Sequence, residues 1–245
     1  MSEIIWNPWH GCHKLSEGCR HCYVYREDAM YGSTIASDVV RKTGNFDLPL
    51  KRKRDRKTFK IEPGTMVFTC FTSDFFLEEA DEWRKEIWQM IRQRSDLTFF
   101  IITKRIDRFM VNLPEDWADG YENVMIGCTI ENQARADYRL PIFLKMPIKH
   151  KSIMVAPMLE KIELSKFMVS EIEQVSVGGE SGQMARVCDY DWVLDIRRQC
   201  MAKNIDFYFH QTGAQLRVNG RVHNIPRRFQ HSQAHKANID FRKND

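Results

Sequence analysis

"TMVFTCFTSDFFLEEADEWRKEIWQMIRQRSDLTFFIITK", residues 65–104, holds two short apolar runs on either side of one amphipathic stretch. The runs TMVFTCFT (65–72) and LTFFIITK (97–104) are rich in β-branched and aromatic residues, with apolar side chains at successive positions and not only at alternate ones. That pattern fits strands buried on both faces, as in a parallel sheet. Between them, in EADEWRKEIWQMIRQR, Trp83, Ile87, Met90 and Ile91 recur at the spacing of one helix face. Two parallel strands need a crossover of this length, so the stretch reads as a βαβ unit.

The alternation continues outward. NVMIGCTI (123–130), KSIMVAPM (151–158), QVSVGGE (174–180) and IDFYFHQ (205–211) read as further buried strands, and EIIWNPW upstream supplies a seventh. DYDWVLDIRRQCMAKN sets Trp192, Val193, Ile196 and Cys200 on one helical face, with Asp189 placed to cap it. The chain is therefore expected to be an α/β protein, a parallel (β/α) barrel, closed or partial, of six to seven βα units. A doubly wound sheet is the alternative. One domain over residues 1–245 is expected, with a basic insertion at about 33–64 and an irregular basic tail at about 214–245.

No apolar run approaches the ~18 residues of a membrane span, so none is expected. The opening MSEIIWNPW has no basic n-region, apolar h-region or cleavage site, which points to the cytoplasm. Seven cysteines, an odd number without a secretory signal, argue for free thiols or metal ligands over a disulfide framework. Cys70, Cys128, Cys188 and Cys200 lie in or beside regular elements and read as buried structural thiols. Cys12, Cys19 and Cys22 cluster in GCHKLSEGCRHCY (11–23) with C-x6-C-x2-C spacing.

Three thiolates leave one coordination position open. A structural zinc site would close it with His10, His13 or His21. A [4Fe–4S] cluster would leave one iron for a substrate. The loop follows the first strand and so belongs to the strand-end rim where parallel barrels build active sites, which favours the cluster.

The same rim collects other polar residues. Asp74, Lys104 and Glu131 are the candidate catalytic groups, and Lys104 with Arg105 suits a carboxylate or phosphate. Asn132, Gly178, Gly179, Glu180 and Ser181 are candidate cofactor contacts, against the plainer roles of helix cap and tight turn. In the insertion, KRKRDRK (51–57) makes Lys51, Arg52, Lys53 and Arg54 candidates for a nucleic acid or nucleotide, against the reading of a solvated loop. A protein partner that completes the site stays open.

The cysteine loop resembles that of the radical S-adenosylmethionine (SAM) enzymes, which space their cysteines C-x3-C-x2-C; here the first gap is longer and His21 fills the aromatic slot. WNPWHGCHKLSEGCRHCY, FTSDFF, FFIITKRIDRF, NVMIGCTIENQ, VGGESG and FYFHQTG together resemble a phage-related three-Cys-motif family of unknown function. That resemblance implies a radical-SAM-like barrel with a [4Fe–4S] cluster and SAM as cofactors. A Gly-Gly-Glu that holds the methionyl amine would correspond to Gly178, Gly179 and Glu180, although here it follows a late strand. The rival function is a zinc-stabilised nucleic-acid-binding protein without catalysis.

Overall fold

A computed structural model describes residues 2–243. Seven strands form the main sheet: β1 (Glu3–Trp6), β2 (Met66–Thr69), β3 (Thr98–Thr103), β4 (Val124–Ile130), β5 (His150–Val155), β6 (Ile172–Gly178) and β7 (Asp206–Gln211). Five helices accompany them: α1 (Tyr23–Met30), α2 (Asp81–Gln93), α3 (Gln133–Lys145), α4 (Tyr190–Ala202) and α5 (Arg227–Lys236). The strands lie in the sheet in their order along the chain and run parallel. Such sequential order is that of a singly wound, partial (β/α) barrel; a doubly wound sheet would reverse order at a switch point.

The chain forms two compact units. One holds the N-terminal stretch to His13, Glu27–Gly127 and Met146–His150; the other holds Lys14–Arg26, Cys128–Lys145 and Lys151 onward. In the first unit, β1 pairs with β2 and β2 with β3, over an aromatic core in which Trp88 and Trp117 meet at 4.9 Å with tilted rings and Phe75 meets Trp88 edge-on at 5.0 Å. In the second, β6 lies between β5 and β7.

All seven expected strands are present, and both helices read from periodicity form. Asp189 caps α4, accepting from the Asp191 amide at 3.0 Å. One face is rotated from expectation: Trp83 is half-buried, and Arg84 and Trp88 point inward. The Arg84 guanidinium is drawn in because it donates to the Phe75 and Leu77 carbonyls, which lead into α2, and pairs with Asp81.

The C-terminal segment corrects the expectation of an irregular tail. Gln215–Val218 and Arg221–Asn224 form an antiparallel hairpin, and α5 follows. Asn219 and Gly220, both at positive φ (49° and 77°), make the two-residue turn that an Asn-Gly pair favours.

The basic run of the insertion is a folded turn. Lys51 Nζ donates to the Gly44 carbonyl at 2.6 Å, Arg52 stacks on Phe59 at 4.4 Å, and Lys53 pairs with Glu62. Asp55 accepts from the Lys57 and Thr58 amides at 2.9 Å each. Three of the four cations proposed for a polyanion therefore serve the loop itself, and Arg54 stands exposed.

Candidate functional site

The strand-end residues of the first unit gather around Asp74. Its Oδ1 accepts from Thr103 Oγ1 at 2.7 Å and the Phe76 amide at 3.0 Å, and its Oδ2 accepts from the Lys104 amide at 2.9 Å. Arg105 Nη1 lies 3.4 Å from the same Oδ2. Asp74 thus ties the ends of β2 and β3 together and orients Arg105. That guanidinium places Nη1 3.9 Å from Cys12 Sγ and donates through Nη2 to the His13 carbonyl at 2.7 Å. Cys12 is further fixed by its amide, which donates to Ser37 at 2.8 Å. The Lys104 ammonium has no ion pair among the described residues and is the uncommitted cation of this group. Burial, and then the Asp74 carboxylate, push the nearby Cys70 thiol well up, so it stays a neutral packing group.

In the second unit, Cys19 closes a short 3-10 turn, and the Cys22 amide donates back to the Cys19 carbonyl at 3.3 Å. The Cys22 carbonyl then accepts from the Arg26 amide at the start of α1. The C-x2-C pair is therefore the two ends of one turn feeding a helix.

Side chains from two strand ends clamp this turn. After β4, Glu131 accepts from the Ser16 hydroxyl and pairs with Arg139 at 2.6 Å, with both members of that pair buried. Gly18 is required here, since a Cβ would come within 2.3 Å of the Glu131 side chain. After β6, Glu180 Oε2 lies 3.2 Å from His21 Nδ1, and Arg26 donates to the Ser181 carbonyl at 2.9 Å and hydroxyl at 3.0 Å. Arg186 holds Glu180 from the other side at 2.5 Å and reaches the Glu17 carbonyl at 2.9 Å. Burial raises the Glu180 carboxyl, but the hydrogen bonds and charge of Arg186, with His21, hold it below the ordinary carboxylate value. Gly179 lets two backbones meet: a Cβ there would sit 2.3 Å from the Thr212 carbonyl.

Among the sequence candidates, Asp74 and Lys104 are thus brought together with Cys12, and Glu131, Glu180 and Ser181 with the Cys19–Cys22 turn. Asn132 is the N-cap of α3, accepting from the Arg135 amide at 2.9 Å. The residues missed from sequence are mostly arginines, namely Arg26, Arg135, Arg139 and Arg186; each sits in an ordinary polar context, and no spacing marks it. The donors present suit a metal centre in kind: the three thiols are partly exposed and none is in a disulfide. No group of three or more His, Cys, Asp or Glu among the described residues is arranged to hold a metal ion.

His210, at the end of β7, gives the unit an acid sensitivity. Burial, then the neighbouring His231, lower its pKa to about 4, and its Nδ1 is enclosed without a partner. The ring stays neutral in the fold, whereas an unfolded His titrates near its ordinary value of about 6.5. The stabilisation is thus complete above pH ~6.5 and is lost as pH falls through about 4, a change of up to roughly 3 kcal/mol. Urea denaturation of the protein and of His210→Asn across this range should show the steeper loss in the unmodified chain; equal slopes would remove His210 as the cause.

No helix among the described residues is long and apolar enough to cross a membrane. No curated protein and no solved structure matches the chain. A family model does, over residues 1–240, and the chain belongs to the family described as "Protein of unknown function (DUF5131)".

Proposed function

We propose that the protein is a radical-SAM-type iron–sulfur enzyme, with Cys12, Cys19 and Cys22 as the three thiolate ligands of a [4Fe–4S] cluster. The observation that carries this reading is the clamped turn. Cys19 and Cys22 sit on a backbone fixed by Glu131 and by the Gly-Gly-Glu-Ser stretch, both at strand ends of the same unit. A reactive centre must be held in register with its cosubstrate, and strand-end supports of this kind provide that. When bound, the reduced cluster would supply the electron that cleaves SAM to methionine and a 5′-deoxyadenosyl radical, which abstracts hydrogen from a substrate.

The chain's own residues then divide the remaining work. Glu180, kept ionised by Arg186 and His21, has a full set of partners too, and a methionyl ammonium would pair with it by displacing one of those contacts. Gly178 and Gly179 let the backbone of that turn approach closely, Ser181 ties it to α1 through Arg26, and Asn132 fixes the start of α3. Lys104, uncommitted, suits a substrate carboxylate or phosphate. Asp74 and Glu131 have full sets of partners and act as positioning groups instead of proton carriers. Arg105 brings a positive charge to Cys12 and balances part of the charge of a thiolate there.

The zinc reading draws on one observation. His10, His13 and His21 each place one ring nitrogen against a carboxylate, of Asp28, Glu79 and Glu180 respectively, the arrangement that orients a metal-ligating imidazole. Anaerobically reconstituted protein with SAM and dithionite separates the two. Chromatography should detect 5′-deoxyadenosine that requires both reagents; iron and sulfide in place with SAM left intact would defeat the proposed activity.

A further inference from the structure

The strongest feature outside the cysteine site is the C-terminal hairpin and helix, which lie wholly within the second unit. From residue 214 onward the chain carries seven Lys and Arg against two Asp, and α5 contains no acidic residue at all. Arg221 on the hairpin and Arg228 and Lys236 on α5 are exposed, and none of the three forms an ion pair among the described residues. This contrasts with the basic turn at 51–54, where three of the four cations are spent on local contacts.

Between hairpin and helix runs a groove of about 560 Å³, in the size range of ligand sites. Tyr190 and Phe209 line it, and Phe229, 42% exposed, stands at its edge with the Arg228 guanidinium 4.7 Å from its ring centroid. Asn224, Gln233 and Lys236 are among its polar lining residues, and Leu216, Val218 and Ile225 among its apolar ones. A large aromatic left in water beside a cation, over an apolar floor rimmed by amides, matches three chemistries at once: a flat ring, a polar ring edge and a negative charge.

We infer that this groove binds single-stranded nucleic acid, with the phosphodiester backbone on Arg221, Arg228 and Lys236 and an unstacked base against Phe229. Bases offer every aromatic a stacking face, and cations that track the backbone supply sequence-independent attraction. A duplex keeps its base faces stacked away, and an acidic peptide brings carboxylates but nothing for the aromatic slot. The inference stands on the hairpin and helix alone and does not depend on the metal reading.

Fluorescence anisotropy with labelled oligo(dT) and oligo(U) of about 12 nucleotides tests it on the full-length protein. Binding should weaken steeply with salt. The triple variant R221S/R228S/K236S should bind at least tenfold more weakly, with a salt slope flatter by roughly 2, since each lost phosphate contact on a single strand removes about 0.7. Phe229→Ala should weaken binding about tenfold and leave the salt slope unchanged, because stacking releases no counterions. No binding at low salt would overturn the inference. So would undiminished binding by the triple variant, folded by circular dichroism, or binding that heparin matches and Phe229→Ala does not affect.

Discussion

Replacing Cys12, Cys19 or Cys22 singly with Ala should abolish incorporation of iron and sulfide, while Cys188→Ala and Cys200→Ala should leave it unchanged. The contrast follows from environment as much as spacing. Cys188 and Cys200 are buried, and burial drives both thiols up to about 12, so neither ionises at neutral pH or meets a metal from solvent. The three N-terminal cysteines are partly exposed on loops and turns whose backbones are anchored by hydrogen bonds from neighbouring segments. An open-iron cluster uses all three thiolates, so each loss should be complete instead of graded. Iron and sulfide analysis after anaerobic reconstitution reads the outcome; a variant at one of the three positions that retained a full cluster would break the ligand assignment.

Arg139→Met should destabilise the protein by about 3–5 kcal/mol, the cost of leaving one member of a buried ion pair uncompensated. Glu131 is fully buried and Arg139 nearly so, and Arg139 Nη1 also donates to the Thr129 carbonyl at 2.7 Å. The same carboxylate accepts from Ser16, three residues before Cys19, so the loss should also loosen the Cys19–Cys22 turn. Urea denaturation of Arg139→Met and of Glu131→Gln/Arg139→Met separates charge from packing. The double variant should recover much of the loss, since it no longer buries a lone carboxylate. A cost under about 1 kcal/mol for Arg139→Met would mean that Glu131 is not held as a buried charge.

The sheet was legible because parallel strands covered on both faces must be apolar at nearly every position, and VMIGCTI or TFFIIT has few other uses in a chain of this length. Strand order was not legible: it depends on pairings between segments far apart in sequence, and only the structure shows the strands neighbouring in chain order. The C-terminal hairpin carried a readable Asn-Gly signal in RVNGRV, masked because Arg221–Asn224 is exposed along its whole length and shows no apolar alternation.

At the site, the cysteine spacing and the Gly-Gly-Glu-Ser stretch were visible as motifs. What they do to each other was not. His21 against Glu180, Ser16 against Glu131 and Arg26 against Ser181 join residues more than 100 positions apart. Arginine satisfies such scattered carbonyls and carboxylates because its five donors form a rigid fork, and nothing local in the chain announces which arginine will do so. Asp74 is a candidate catalytic group from its place at a strand end, but its four partners, through which it joins two strand ends and aims Arg105, are not legible in the sequence.

The metal content of the unmodified protein, expressed with iron and sulfide available and purified without oxygen, tests the proposed centre most directly. Elemental and sulfide analysis should find about four iron and four sulfide per chain in a brown protein. Stoichiometric zinc, with no cluster formed on reconstitution, would contradict it.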